Sequence, residues 1–367
     1  CAFALCGKSV GAVERNIVTP LLAVQYLRQN FTISYSRSGH VITARRGVRE
    51  NRFYLFGGKD ENSATLIQGI TLAGVLFDEV ALMPESFVNQ AIARTLSVDG
   101  TRLWFNCNPD SPEHWFYKNW IQKADNGERN DVLHLHFTMW DNPIMTAEKI
   151  HRAEGMYAGV FYDRYIQGQW VVAEGTVYTM FDRQRHIVPD TVKLLPDGDY
   201  FISCDYGTLN PTSAGLWYLD PTGHATRLRE YYYSGRDGTP RTDEEHYKAL
   251  EQLAGECIDE IRAGIVDPSA ASFIACIRRH GRMRVKQADN SVLDGIRDTS
   301  VLLQHGYLHF CSGCADVIRE FGLYRWNEKQ SHDAVLKEND HAMDDMRYFV
   351  RTAMRRTIRQ VRGEAKR

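Results

Sequence analysis

Four short apolar runs constrain this chain more than any other feature. Ala2–Cys6, Arg52–Phe56, Ala73–Phe77 and Arg102–Cys107 carry no regular polar alternation, and helical stretches lie between them. A strand that is apolar on both faces must be covered on both faces, which is the signature of a parallel α/β sheet. The intervening helices are read at Ala12–Arg28, with Pro20 at or near a kink, at Glu85–Leu96 and at Ala147–Gln167.

The pattern changes at Val171–Asp199, where Gly175, Pro189, Pro196 and Gly198 interrupt mixed charges. Such a stretch reads as an interdomain linker. A second unit follows. Tyr200–Cys204, Ser213–Leu219 and Thr226–Tyr233 predict a three-stranded meander. Then come a helix at Glu244–Ile261, a short strand at Gly264–Val266, and helices at Ala270–His280, Leu293–His305, Ala315–Tyr324 and Asp340–Thr357. That order is the order of a ribonuclease-H-like domain. At roughly 150 residues per domain, 367 residues allow for two domains with real cores.

Two of the apolar runs end in chemistry. Gly74-Val75-Leu76-Phe77 leads directly into Asp78-Glu79. Ligands of open α/β sheets bind beyond the carboxyl ends of the strands, where these two acids fall. Asp78 can orient the water shell of a nucleotide-bound Mg²⁺, and Glu79 can polarise water for γ-phosphate hydrolysis. An acidic strand end facing solvent is the plainer alternative. The neighbouring run ends in Asn106-Cys107-Asn108-Pro109, whose amides can sense a γ-phosphate. Asn108-Pro109 is otherwise a simple turn initiator.

A phosphate-cradling loop would complete this edge. Cys6-Gly7-Lys8-Ser9 ends as G-x-x-x-x-G-K-[ST] does, but Ala2 stands where its first Gly falls, and no strand precedes it. The segment is therefore read as a later strand and loop. The chain, which starts at Cys1 without a Met, is expected to begin inside a longer protein whose phosphate loop lies upstream.

The second unit carries carboxylates from three elements. Asp205 ends one strand, Asp267 ends another, and Asp340, Asp344 and Asp345 open a helix with His341. His341, Asp344 and Tyr348 recur at i, i+3 and i+7, on one helix face. Carboxylates brought that close repel unless a divalent cation lies between them. Oxygen donors suit Mg²⁺ or Mn²⁺, and two such ions can activate water and stabilise the leaving oxygen in phosphodiester cleavage. Each Asp alone would pass as a cap or turn residue.

Taken in order, these segments resemble the large subunit of a tailed-phage terminase over essentially the whole chain. The resemblance rests on Ile67–Gly74 running into Phe77-Asp78-Glu79; on Asn106–Pro109 with Pro112, His114 and Trp115; and on Gly168-Gln169-Trp170. It continues through Asp205-Tyr206-Gly207, Asp267-Pro268-Ser269, and Asp340-His341-Ala342 with Asp344 and Arg347-Tyr348. It implies a P-loop-type packaging ATPase at 1–172, incomplete at its start, a linker at 173–198, and a ribonuclease-H-like nuclease at 199–367. It implies ATP-driven movement of double-stranded DNA into procapsids and two-metal cleavage of concatemeric DNA. Asp78 would be the Walker B acid, Glu79 the catalytic glutamate, and Asn106 to Pro109 the coupling motif. Asp205, Asp267 and Asp344 would hold the nuclease metals, with His341 beside them. Asp345, about 100° further round the helix, should point elsewhere. The implied cofactors are Mg²⁺ or Mn²⁺ for the nuclease and ATP with Mg²⁺ for the motor. The implied partners are DNA, a portal protein and a small subunit, in a ring on the procapsid in the host cytoplasm. Without its phosphate loop the ATPase half is expected to be inactive, whereas the nuclease half is complete.

Other classes compete. A recombination or repair nuclease, or a non-catalytic portal-docking fragment, would share parts of this pattern. Net charge is −2, which gives no global attraction to nucleic acid. The tail Arg351–Arg367 is locally basic and could grip a DNA backbone. Eight scattered Cys fit a reducing compartment, and no run of eighteen apolar residues or signal peptide occurs. Cys311-Ser312-Gly313-Cys314, with His305 and His309, is a weak zinc candidate. Arg94 is a candidate arginine finger, more simply helix surface. Trp115, Phe116 and Trp120 are expected in a core.

Overall fold

The computed structural model describes residues 1–235, 239–328, 330 and 333–363. Contacts divide the chain into two units, Cys1–His136 and Phe137–Arg367.

The first unit is built on a six-stranded sheet. Its strands are β1 (Ala2–Gly7), β2 (Thr32–Ser36), β3 (Val41–Arg46), β4 (Arg49–Gly57), β5 (Gly74–Phe77) and β6 (Arg102–Phe105). Their order is β2-β3-β4-β1-β5-β6. β4, β1, β5 and β6 run parallel, as the apolar runs predict. β2, β3 and β4 form an antiparallel extension that the apolar runs do not predict. The register pairs Cys6 with Phe77 and Phe77 with Phe105, so β1, β5 and β6 end at one edge. The expected Ala12–Arg28 helix is irregular. Ser9 caps it through the Ala12 amide, a π-helical stretch spans Glu14–Val18, and Val24 interrupts it in extended conformation. The wider π turn lies just before Pro20, whose ring would otherwise crowd the carbonyl four residues back.

The second unit has a seven-stranded sheet. Its strands are β7 (Ile187–Val188), β8 (Asp199–Asp205), β9 (Thr212–Leu219), β10 (Ala225–Tyr233), β11 (Ile261–Val266), β12 (Val285–Gln287) and β13 (Leu308–Cys311). The order is β12-β11-β8-β9-β10-β13-β7. β8, β9 and β10 form the predicted antiparallel meander. β11 pairs parallel to β8, and β12 parallel to β11. Five of these strands therefore stand in the order third, second, first, fourth, fifth, which is the ribonuclease-H-like arrangement.

Each sheet face has its own core. Phe201, Trp217 and Ile265 pack with Met346 and Phe349 of the His341–Ala353 helix. Ile202, Cys204 and Leu216 pack with Tyr247 and Phe273 of the Asp243–Ala254 and Ala271–His280 helices. Alternate residues of β8 thus serve opposite layers.

The expected division at 172/173 falls inside the second unit. Residues of the expected 173–198 linker are packed there. Val177 and Tyr178 join the core, Ile187–Val188 pairs with β13, and buried His186 bonds to the Leu303 carbonyl at 2.9 Å. Gly and Pro richness marked irregular backbone correctly but said nothing about its burial. The expected Ala147–Gln167 helix is two helices, Ala147–Glu154 and Val160–Tyr165. The first ends at Gly155, and Gly159, just before the second, adopts φ +56°, outside the helical region and open to Gly. The last helix breaks at Met354 into His341–Ala353 and Arg355–Val361.

Candidate functional site

In the first unit the four residues singled out at the sheet edge form one network. The Asp78 amide donates to the Cys6 carbonyl at 2.8 Å, continuing the β1–β5 ladder. The Asp78 carboxylate accepts from Asn106 Nδ2 at 3.1 Å and from Asn16 Nδ2 at 3.0 Å. Asn16, on the helix after β1, carried no sequence signal. Glu79 is left-handed, with φ 57° and ψ 55°, a conformation costing a non-Gly residue roughly 1–3 kcal/mol. Asn106 holds it there: its Oδ1 accepts from the Glu79 amide at 2.8 Å, and its carbonyl from the Val80 amide at 2.9 Å. The turned backbone aims the Glu79 carboxylate at Asn108, whose Nδ2 lies 3.1 Å away. Burial, with the Asp78 charge beside it, raises the Glu79 pKa above the usual range. That direction suits a proton acceptor. Gly7-Lys8-Ser9 runs from β1 into the capped helix, and Lys8 is exposed. Of the three aromatics expected in a core, Phe116 is buried, while Trp115 and Trp120 are partly exposed; Phe105 packs against Phe116 and Trp120.

In the second unit, the β8–β11 pairing sets Cys204 beside Val266, so Asp205 and Asp267 emerge from adjacent parallel strand ends. The His341–Ala353 helix packs over this edge. His341 Nδ1 lies 2.8 Å from Asp205 Oδ2. The Tyr348 hydroxyl lies 3.3 Å from Asp205 Oδ1 and donates to Asp267 Oδ2 at 2.9 Å. One phenol therefore spans the two strand-end acids. Asp344 lines the same cleft, of about 620 Å³, with Asp205, Asp340 and His341. It pairs with buried Arg347 and lies 3.8 Å from Lys337 Nζ, which also stands 3.6 Å from Asp340. A larger hollow of about 760 Å³ in the first unit is lined by Phe3, Leu21, Phe31 and Trp104 and holds no carboxylate.

Electrostatics set these acids apart. Burial pushes the Asp205 carboxyl up to about 6, against the pull of His341. For His341, burial opposes the charge, but the Asp205 hydrogen bond and nearby carboxylates prevail and raise its pKa. Asp267 is also penalised by burial, yet bonds from Ser269, Tyr348 and Asn290 hold it below the usual range. The donor set of carboxylate oxygens around an open cleft fits hard divalent cations. Asp205 and Asp267 would hold them between the strand ends, with Asp344 from the helix.

Asp345 points away, as its helical angle predicts. It is fully buried, accepting from Ser203 Oγ at 2.8 Å and from Arg227 at 2.6 and 3.1 Å. Sequence reasoning missed Lys337 and the buried Glu320. Glu320 accepts from the Ala342 amide at 2.8 Å and from the Tyr232 hydroxyl at 2.7 Å, anchoring the first turn of the helix that carries His341. Neither residue has a readable spacing to the strand-end acids.

The weaker candidates resolve differently. The Cys314 thiol faces the Arg227 carbonyl and the Cys311 thiol the Pro189 carbonyl. Among the described residues neither joins a three-ligand group. In the tail, Arg351 and Arg362 are committed to Asp298, while Arg356 and Arg359 are exposed. Residues 364–367 of that basic stretch lie outside the described residues.

Residues 24–185 match a family model described as terminase large subunit, T4likevirus-type, N-terminal. The terminase large subunit of Escherichia phage T5 is 24% identical over 370 residues, covering 92% of this chain and 80% of that protein. The large terminase of a thermophilic bacteriophage, solved with ADP, is 45% identical, with 96% of this chain and 87% of that chain covered and a TM-score of 0.80. A second crystal form of that thermophilic phage protein is 46% identical, with 96% and 86% covered and a TM-score of 0.82.

Proposed function

The chain belongs to the large-terminase family, and from that premise we propose that it serves ATP-driven packaging of double-stranded viral DNA and its metal-dependent cleavage. The observation that carries the nuclease half is the pair of strand-end acids, Asp205 and Asp267, spanned by the Tyr348 hydroxyl, with Asp205 lining the acidic cleft. Divalent ions would supply a water nucleophile at neutral pH and charge stabilisation of the leaving oxygen. The chain's own residues do the rest. Asp205, Asp267 and Asp344 hold the ions, and Tyr348 fixes the two strand-end carboxylates against each other. His341 orients Asp205 and can take up or return a proton at its ring. The test is relaxation of supercoiled plasmid with Mn²⁺ and with Mg²⁺. Cleavage that chelator stops supports the assignment, and no cleavage with either ion ends it. Cleavage confined to branched junctions would instead favour a recombination nuclease.

We assign the ATPase role to the first unit and the nuclease to the second, with 173–198 part of the nuclease body. Asp78 would orient the Mg²⁺–nucleotide and Glu79 its attacking water, with Asn106 holding both. The thermophilic phage relative was solved in complex with ADP. Gly7-Lys8-Ser9 departs from the G-x-x-x-x-G-K-[ST] pattern at Ala2. Where ATP turnover is measurable, Glu79→Gln should lower kcat by about 10²–10⁴-fold while nucleotide affinity changes little. Loss of affinity without loss of kcat would contradict the role. A portal protein and a small subunit are the expected partners, in the host cytoplasm. Among the described residues no helix is long and apolar enough to cross a membrane.

Metal affinity should depend on pH with a defined sign. The Asp205 carboxyl holds its proton up to about pH 6 in the metal-free protein, and a proton and a cation compete for it. Titration calorimetry with Mn²⁺ should therefore show affinity rising from about pH 5 to about pH 7 and levelling above. Affinity that is flat across that window would remove Asp205 from the ligand set.

A further inference from the structure

On the opposite face of the second sheet, away from the His341–Ala353 helix, two packed helices bring together a different donor set. Glu244 lies in the first turn of the Asp243–Ala254 helix. Cys276 and His280 are four residues apart on the Ala271–His280 helix, and so share one face. A carboxylate oxygen, the Cys276 thiol and an imidazole nitrogen all lie within 4.8 Å of one another. His280 Nε2 is 2.7 Å from Glu244 Oε2, and the His280 ring stacks flat on Tyr247 at 3.8 Å, which fixes its plane.

We propose that Glu244, Cys276 and His280 bind one zinc-class divalent ion, distinct from the ions of the acidic cleft. The donor set selects the metal. One sulfur, one imidazole and one carboxylate match Zn²⁺, with Zn–S of about 2.3 Å and Zn–N and Zn–O of about 2.0–2.2 Å, and do not suit Mg²⁺. Ligand atoms already within 4.8 Å need only small side-chain rotations to reach a tetrahedral ion. Water would take the fourth position.

The ion has competitors for these donors. Arg279 pairs with Glu244 and approaches Cys276 Sγ at 3.9 Å. Its side chain is 69% exposed, so it can swing into solvent. Burial and the Glu244 charge raise the Cys276 thiol pKa, so the thiol is protonated without metal. On binding, the S–H proton leaves to solvent as sulfur takes the ion, and His280 binds as neutral imidazole. Asp243, at the start of the neighbouring helix, adds a second negative charge nearby. The ion would clamp the two helices that cover this sheet face.

Co²⁺ tests this on the full chain kept reduced with a phosphine. A thiolate-to-cobalt charge-transfer band should appear, which an all-oxygen site cannot give. The band should persist in Asp205→Asn, whose change lies in the cleft, and disappear in Cys276→Ser. His280→Ala, at an exposed position, should weaken Co²⁺ binding on the order of 10- to 100-fold or more, since losing an outer-shell partner already costs that much. Arg279→Ala should tighten it by removing the competing cation. Cys276→Ser should leave Mn²⁺-dependent DNA cleavage unchanged. No band in the wild type, a band that survives Cys276→Ser, or unchanged affinity in His280→Ala overturns the proposal.

Discussion

Asp205→Asn is expected to lower Mn²⁺-dependent DNA cleavage by about 10²–10³-fold or more, while leaving the protein as stable as the wild type or more so. The loss follows from removing a charged ligand at the point where two strand-end acids converge. The stability follows from the same burial that makes the site useful. The folded protein holds the Asp205 proton up to about pH 6, whereas the ordinary carboxylate value is 3.8. A group with a raised folded pKa favours the folded state at low pH, and that contribution is lost as pH rises through the folded value. Above about pH 6 the metal-free protein therefore bears a desolvated negative charge that Asn does not carry. Plasmid relaxation and a thermal melt at about pH 7.5, both without added nucleotide, read the two effects. Cleavage retained at wild-type rate sinks the metal assignment. Cleavage lost together with a large fall in melting temperature would make Asp205 structural instead.

The second large effect belongs to the neighbouring class of acid, the one that never meets solvent. Asp345 and Arg227 are both fully buried, and Asp345 also takes the hydroxyls of Ser203 and Ser213. Gly215 makes the room, since a Cβ there would stand 2.6 Å from Arg227 Nη1. Asp345→Asn leaves the buried guanidinium only Glu230, at 3.5 Å, as counter-charge; breaking a buried pair costs about 3–5 kcal/mol. For a unit of this size that lowers the melting temperature by roughly 6–20 °C. A loss under about 1 kcal/mol in denaturant titration would show that the pair is not the support it looks to be. Asp344 and Asp345 thus stand next to each other in sequence with separate jobs, divided by one helical step.

What the sequence made legible has a physical pattern. Phe77-Asp78-Glu79, Cys204-Asp205 and Val266-Asp267 stood out because apolar strands stop abruptly in acids, and strand ends are where sheets present side chains to ligands. The i, i+3, i+7 spacing places His341, Asp344 and Tyr348 on one helix face. Other parts were illegible for equally physical reasons. β2 alternates polar and apolar residues at the edge of the first sheet, β3 mixes apolar residues with Thr43, Arg45 and Arg46, and β12 is only three residues long. Residues 175–188 look like a linker until Tyr178 and His186 are found inside a core. Asn16, Lys337 and Glu320 reach their sites only by tertiary folding, as do Glu244 and the Cys276–His280 pair, which the sequence offered as ordinary helix.

Lys337 gives the acidic cleft a resident counter-ion. Its ammonium stands between Asp340 and Asp344 on a side chain that is 68% exposed. Were Asp344 to take a divalent ion as proposed, its entry would be an ion exchange rather than a filling, a tethered monovalent charge traded for a free divalent one. Without an ion, that ammonium softens the repulsion between the two acids. The exchange would also free a lysine at the rim, so that loading the centre would at the same time give its border a positive charge for a polyanion.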